Sequence, residues 1–207
     1  MTSDPTLEVI VEERSAAVAL ERLLPKIVPG VPYEIREFAG KTTLLKKLPD
    51  RLAGYATRIK WESLRIVILV DRDNDDCRVL KRKLDEMAEA AGFSISDATG
   101  GVYLLNRIAI EELEAWFFGD VPALVCAFPK VSPSLGSNAR FRDPDAITGG
   151  TWEALERILK DRGYHRSGLR KVEAAAEIAV HMDVENNRSK SFQVFRDGVR
   201  RLMKGSI

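Results

Sequence analysis

Five consecutive apolar residues, Ile66 to Val70, constrain the fold of this chain more than any other segment. Most of them are β-branched, and such a run is typical of a strand that is covered on both faces. A strand of this kind requires a sheet with helices against each face, as in α/β proteins. Because a membrane-spanning helix needs roughly 20 apolar residues, we expect no membrane segment here.

Strand and helix patterns alternate on either side of this run. The order β-α-β-α-β-α-β-α predicts an α/β fold with a mostly parallel sheet flanked by helices. Pro49 should bend the second helix, because proline removes a backbone donor from the helix interior. The predicted segments are strands at 7–12, 31–36, 66–70 and within 102–110, and helices that start at a cap by Ser15, at Thr42 or Thr43, at Cys77, and directly after the last strand.

The composition of the sequence and its secondary-structure pattern change after about residue 119. Residues 129–150 are rich in Pro, Ser and Gly, which predicts a loop. We therefore predict an α/β core over residues 1–120, and a loop with a helical, basic extension over residues 121–207 that packs on this core. The helical stretches of the extension lie near 151–162, 168–181 and 189–204.

The charges are distributed unevenly along the chain. The formal net charge is only +1, from 32 basic and 31 acidic residues, but acids are in excess in the first 129 residues and bases in the rest. This balance excludes a uniformly basic nucleic-acid binder and leaves room for separated acidic and basic surfaces. With two cysteines and two histidines, the chain cannot build a four-cysteine zinc site or a site based mainly on imidazole. We expect a cytoplasmic protein.

Acidic side chains follow three of the predicted strands. Glu12 ends the first strand, Asp71 and Asp73 end the third, and Glu111 and Glu114 come directly after the fourth. In open parallel sheets, ligands bind at the carboxyl ends of the strands. We expect Asp71 and Asp73 to point to the same side and share a cation, with Glu12 as a third oxygen ligand. Carboxylate clusters suit Mg²⁺ or Mn²⁺, and such a centre performs phosphodiester chemistry.

The three glutamates after the fourth strand differ in their helical positions. Glu114 lies at the edge of the apolar stripe that includes Ile110 and Phe117, with Glu111 beside it, whereas Glu112 points elsewhere. A carboxylate at the edge of a buried face needs a partner or a metal, which favours Glu114 and then Glu111 as ligands. The alternative is structural, because acids near a helix N-terminus stabilise the helix dipole.

Basic residues supply candidate phosphate contacts. Gly40-Lys41-Thr42 is not a P-loop, because the required glycine five residues before Gly40 is Ile35. Lys41 is instead expected in a solvated or phosphate-facing patch, and arginine forks suit phosphate oxygens. His181 and Asp183 form a possible second functional cluster, with a helix cap or packing role as the alternative. The predicted nucleic-acid-binding residues are Lys41, Arg72, Arg140, Arg142, Arg188 and Lys190.

Glu12 at the end of one strand and Asp71-Arg72-Asp73 at the end of another resemble the Toprim domain of topoisomerases, bacterial primases and overcoming-lysogenization-defect nucleases. The resemblance implies that Glu12, Asp71 and Asp73 are its acidic residues, although Glu13 stands where that family usually has glycine. Most of the chain also resembles a Toprim-related family catalogued as domain of unknown function 4276. The motifs that carry this second resemblance are Gly40-Lys41, Leu44 to Leu48, Asp71 to Asp73, Glu111 to Trp116, Arg142 to Asp145, His181 to Asp183 and Asn187 to Phe192.

The sequence leads to one preferred function and two alternatives. The preferred function is a Mg²⁺- or Mn²⁺-dependent nuclease acting on DNA or RNA, with Glu12, Asp71, Asp73 and Glu114 as the catalytic carboxylates. The resemblance implies a setting in defence or in a mobile element, and an ATPase as a partner protein. The alternatives are a non-catalytic nucleic-acid-binding module or ATPase partner subunit, motivated by Glu13, and phosphotransfer on a small nucleotide.

Overall fold

The computed structural model describes residues 5–95 and 103–205, and its centre is a sheet of four parallel strands. The strand order is β2-β1-β3-β4, so that β1 and β3 are the inner strands. All strands run in parallel, which confirms the predicted α/β fold class and is consistent with a Toprim-like arrangement. The strands are β1 (Thr6–Val11), β2 (Tyr33–Glu37), β3 (Leu64–Asp71) and β4 (Leu104–Ala109).

A helix follows every strand, and four more helices come after the sheet in the sequence of the described residues. Three short 3-10 turns lie within residues 135–146, where the sequence predicts a loop. The α-helices are α1 (Arg14–Ile27), α2 (Lys41–Arg58), α3 (Cys77–Ala90), α4 (Glu114–Phe118), α5 (Val121–Ala127), α6 (Thr151–Asp161), α7 (Lys171–His181) and α8 (Lys190–Lys204). In the part of the chain that the structure describes, no helix is long and apolar enough to cross a membrane.

The inner strand β3 explains the continuous apolar run in the sequence. All eight of its residues are buried, and its side chains alternate between two hydrophobic cores. Val67 and Leu69 belong to the larger core, which includes residues of α1, α4, α6, α7 and α8. Ile66, Ile68 and Val70 belong to the smaller core, which α2 and α3 cover. Both predicted regions therefore contribute to the larger core, and the division at residue 120 stays a prediction.

Several helix boundaries differ from the predictions. Ser15 lies inside α1, and Glu13 occupies the N-cap position, with its carboxylate accepting a hydrogen bond from the Ser15 hydroxyl. Helix α2 begins at Lys41 and continues through Pro49 to Arg58, because Leu52 and Tyr55 extend its buried face. The short helix α5 was not predicted, and of the predicted last strand, Val102 lies outside the described residues.

A buried polar network joins α4 to the start of α8. The Asp145 carboxylate accepts hydrogen bonds from the Ser189 hydroxyl (2.7 Å) and from the backbone N–H of Ser191 (2.9 Å). The Ser191 hydroxyl accepts from the Trp116 indole at 2.9 Å, and the Asn187 amide donates to the Trp116 carbonyl at 2.8 Å. These residues belong to three of the sequence motifs, and their contacts assign them to holding the extension in place.

Gly119 tests this network because it lies directly against it. A Cβ atom at Gly119 would overlap the Asn187 amide and lie 2.8 Å from the Ser189 nitrogen. We expect Gly119→Ala to lower the free energy of unfolding by about 1–3 kcal/mol, the usual cost of overpacking. The matched control is Gly54→Ala in α2, where a Cβ meets nothing within 4 Å and should stabilise by up to about 1 kcal/mol. Urea denaturation measures both, and equal effects would contradict the role of the network.

Candidate functional site

The carboxyl ends of β1 and β3 bring Glu12 and Asp71 together. The strands pair in parallel with Val11 opposite Leu69, so the residues that follow lie side by side. Glu12 is 6% exposed, and its Oε1 accepts a hydrogen bond of 2.7 Å from the backbone N–H of Asp71. Parallel pairing therefore places two acidic side chains, 59 positions apart in the sequence, at one edge of the sheet.

Glu114 approaches the same edge from the first position of α4. Its side chain is 2% exposed, and its Oε2 atom is buried without a hydrogen-bond partner among the described residues. The negative charge of Glu114 raises the pKa of Asp71. Glu12, Asp71 and Glu114 are hereafter called the buried acidic cluster.

Burial and mutual repulsion disfavour ionisation of this cluster. Burial raises the pKa of Glu12 to about 7, against the hydrogen bond from Asp71 and the positive charge of Lys41, which lower it. Burial likewise raises the pKa of Glu114 to about 7. The pKa of Asp71 is raised well above its ordinary value, first by burial and then by the charges of Glu12 and Glu114. A bound cation would relieve this repulsion.

The Asp73 carboxylate pairs with a lysine, and its charge also raises the pKa of Glu12 and Asp71. Strand β3 ends at Asp71, and Asp73 has a left-handed φ of 49°, so strand alternation does not extend to it. Its carboxylate forms an ion pair of 2.6 Å with Lys41 Nζ, which also contacts Asp75 at 2.9 Å. Lys41 is placed by Gly40, whose φ of 90° favours glycine and whose N–H donates to the Glu12 carbonyl.

Glu111 and Glu112 have partners of their own. Glu111 has a left-handed φ of 63° and forms an ion pair with the Arg72 guanidinium. The Glu112 carboxylate accepts hydrogen bonds from the backbone N–H groups of Thr151 (2.8 Å) and Trp152 (3.0 Å), so it caps α6. The sequence argument against Glu112 as a ligand agrees with this capping role.

Lys171 is a site residue that the sequence argument missed. It is the first residue of α7, and its Nζ lies 4.7 Å from the centre of the Trp152 ring. Its charge lowers the pKa of Glu114, and the charges of Glu114, Glu13 and Asp71 raise the pKa of Lys171 against the effect of burial. No local pattern marks this lysine, since only the packing of α7 brings it to the cluster.

The predicted phosphate-binding residues fall into two groups. Lys41 and Arg72 are already paired, with Asp73 and Glu111 respectively. The others are exposed and lie in the 3-10 turns or near the start of α8, namely Arg140, Arg142, Arg188 and Lys190. Only the second group is therefore open to an incoming polyanion as the structure stands.

Of the two residues in the predicted second cluster, Asp183 has a structural role. The Asp183 carboxylate accepts hydrogen bonds from the Asn186 amide and from the backbone N–H of Glu185, both at 2.8 Å. These bonds lower the pKa of Asp183 and hold a turn after α7. His181 is exposed as the last residue of that helix, and the functional role of the pair stays a prediction.

The fit of the site to a divalent cation is incomplete as it stands. Within residues 5–95 and 103–205, no three Asp, Glu, His or Cys side chains are arranged to hold a metal ion. Two observations nevertheless favour a cation beside the buried acidic cluster: the unpartnered Oε2 of Glu114 and the mutual repulsion that raises the pKa of Asp71. Asp73, the further acid that the sequence argument placed at this site, is paired with Lys41.

The raised pKa values predict how stability changes with pH. Glu12 and Glu114 ordinarily ionise near 4.5 and in the folded protein near 7, so the folded state binds protons that the unfolded state has lost. Their contribution is fully present below about pH 4.5 and is lost as the pH rises through about 7. In urea denaturation, Glu114→Gln should therefore reduce the loss of stability between about pH 5 and pH 8.

The control for this experiment is Glu89→Gln, which removes an exposed carboxylate on α3. This variant should show the full loss of stability over the same pH range. An unchanged pH dependence in Glu114→Gln would show that Glu114 ionises normally in the folded protein.

The comparisons with known proteins give one match. No curated protein matches the chain, and no solved structure does. The family model described as Domain of unknown function (DUF4276) matches residues 11–200, which include the buried acidic cluster, Lys171 and most of α8. The chain therefore belongs to the DUF4276 family.

Proposed function

We propose that this protein is a nuclease that hydrolyses phosphodiester bonds with the help of Mg²⁺ or Mn²⁺. The observation that carries the proposal is the buried acidic cluster at the carboxyl edge of a parallel sheet, where one oxygen of Glu114 has no hydrogen-bond partner within residues 5–95 and 103–205. Ligand sites in such sheets lie at this edge. Buried carboxylates with strongly perturbed pKa values are also typical of functional sites.

The protein's own residues would hold the cation and the charge around it. Glu12, Asp71 and Glu114 are the proposed ligands, with Asp73 or Glu111 joining them by leaving Lys41 or Arg72. Oxygen ligands of this type suit Mg²⁺ and Mn²⁺. A bound ion of this kind activates water and neutralises the charge on a phosphoryl oxygen. Lys41 and Lys171 add positive charge at the same site, since they lower the pKa of Glu12 and of Glu114 respectively.

The exposed basic residues support a nucleic acid, either DNA or RNA, as the substrate. Arg140, Arg142, Arg188 and Lys190 are exposed and available for backbone phosphates. Contacts of this kind make binding weaker as salt increases. The resemblance to Toprim nucleases supports the same chemistry, and with it an ATPase partner in a defence or mobile-element system. Two free cysteines, Cys77 and Cys126, fit a cytoplasmic location.

Cleavage assays with single- and double-stranded DNA and RNA test this proposal directly. We expect metal-dependent cleavage by the wild-type chain, and a loss of about a hundredfold or more in Asp71→Asn, which keeps the shape and removes the ligand charge. The control is Asp50→Asn, which removes an exposed carboxylate in α2 and should cleave normally. Equal cleavage by wild type and Asp71→Asn would exclude this cluster as the catalytic centre.

Lys171 provides a second test that does not depend on activity. Its positive charge competes with a metal ion for the buried acidic cluster, so Lys171→Met should bind Mn²⁺ several-fold more tightly in calorimetric titration. The control is Lys130→Met, because Lys130 also lies over an aromatic ring, that of Tyr164, at 5.5 Å. Unchanged or weaker Mn²⁺ binding in Lys171→Met would place the metal elsewhere.

The second candidate is a non-catalytic nucleic-acid-binding module or partner subunit of an ATPase. The ion pair between Lys41 and Asp73 favours it, because it neutralises one of the expected ligands within the chain itself. Glu13 adds a further negative charge that raises the pKa of Glu12 and Asp71. Nucleic-acid binding without Mn²⁺ binding and without cleavage would support this candidate over the nuclease.

A further inference from the structure

A groove lies at the β4 edge of the sheet, outside the buried acidic cluster. Strand β4 is last in the strand order of the described residues, and residues of α3 and α8 line the groove on either side of it. A cavity of about 420 Å³ opens there, lined by Lys81, Asn106, Arg107 and Arg201 among others. A second opening shares Lys81, Asn106 and Arg107 and extends to Ile110, the residue before Glu111.

Arg107 is a partly buried cation without an acidic partner in the described part of the chain. Its guanidinium donates to two neutral backbone carbonyls, those of Asn106 at 2.9 Å and Val194 at 3.3 Å. Burial, followed by repulsion from Arg201, lowers the pKa of Arg107. Burying a charge is costly unless it is paired. An anion bound in the cavity would therefore stabilise the guanidinium of Arg107.

A glycine in α8 makes room for this arginine. A Cβ atom at Gly198 would lie 2.8 Å from Arg107 Nε and 2.9 Å from Leu105 Cδ2. A glycine inside a helix is less stable than alanine at the same position. The close approach of Arg107 to α8 is therefore gained at the expense of local helix stability.

The polar residues on the other side of the cavity offset this positive charge only in part, because the charge of Asp85 raises the pKa of Arg107 less than burial and Arg201 lower it. Among the residues that the structure describes, Asp85 is the one acid in the cavity lining, and it already pairs with Lys81 and accepts a hydrogen bond of 2.8 Å from the Asn106 amide. The Oδ1 atom of Asn106 is buried and has no partner among the described residues. The cavity therefore offers unpaired positive charge on one side and a free acceptor on the other.

We propose that this cavity binds a phosphate group, held by Arg107 and Arg201, with Asn106 accepting from a hydroxyl group of the ligand. Two arginines facing one cavity match the charge and the bidentate geometry of phosphate oxygens. The phosphate belongs either to the backbone of a nucleic-acid strand that follows the groove towards Glu111, or to a free nucleotide. Neither source requires the metal centre, so the proposal does not rest on the nuclease assignment.

Calorimetric titrations on the full chain in the presence of a chelator test the proposal. The probes are inorganic phosphate, a nucleoside monophosphate, and a single-stranded oligonucleotide without terminal phosphate. The variants are Arg201→Gln, which removes an exposed arginine, and Gly198→Ala, which displaces the Arg107 guanidinium while improving helix propensity. The control is Arg22→Gln, which removes an equal charge from an exposed position of α1 outside the cavity lining.

We expect Arg201→Gln and Gly198→Ala each to weaken phosphate binding at least about tenfold, the effect of losing one charged hydrogen bond, and Arg22→Gln to bind normally. Loss confined to the oligonucleotide would identify the strand as the ligand, and loss for the nucleotide and inorganic phosphate would identify a free phosphate ligand. If the wild-type chain binds none of the probes, or if all variants bind like Arg22→Gln, Arg107 serves only to tie β4 to α8. Cleavage results do not affect this outcome, because the titrations contain no divalent metal.

Discussion

The hydrogen bond from the backbone N–H of Asp71 to the Glu12 carboxylate connects the fold to the site. It forms because β1 and β3 are parallel neighbours in the middle of the sheet, and both strands end at the same edge. The same burial that makes these strands stable removes water from the two acids and disfavours their charge. The sheet thus makes ionisation of these acids unfavourable. Lys41 and Lys171, which are far apart in the sequence, reduce this cost with their positive charges.

The two lysines suggest how the site is kept stable without a ligand. Lys41 pairs with Asp73 at the end of β3, and Lys171 interacts with Glu114 from the start of α7. Both amines supply positive charge where a divalent ion would also be favourable, so a metal and these lysines oppose each other. Metal affinity should then depend on the lysines as well as on the carboxylates, because their positive charge opposes a cation at the same site.

The sequence was sufficient to predict those parts of the site that depend on where the strands end. The apolar run of β3 and the acids that follow the strands predicted the parallel sheet and the positions of Glu12 and Asp71. The orientation of Asp73 was not predictable in this way, because the strand ends at Asp71 and Asp73 itself has a left-handed φ. Lys171 was missed for a different reason: helix α7 packs against α1 in the larger core, and this long-range contact has no local signature.

The opposite charges of the two halves of the chain take on a specific meaning in the folded molecule. The excess acids include the buried acidic cluster, where burial partly suppresses their negative charge, whereas several bases of α8 and the preceding loop remain exposed. Arg107 adds a partly buried positive charge on β4 that Gly198 of α8 accommodates. The raised pKa values therefore make the folded chain more positive near neutral pH than its formal net charge of +1, which favours the polyanionic ligands proposed above.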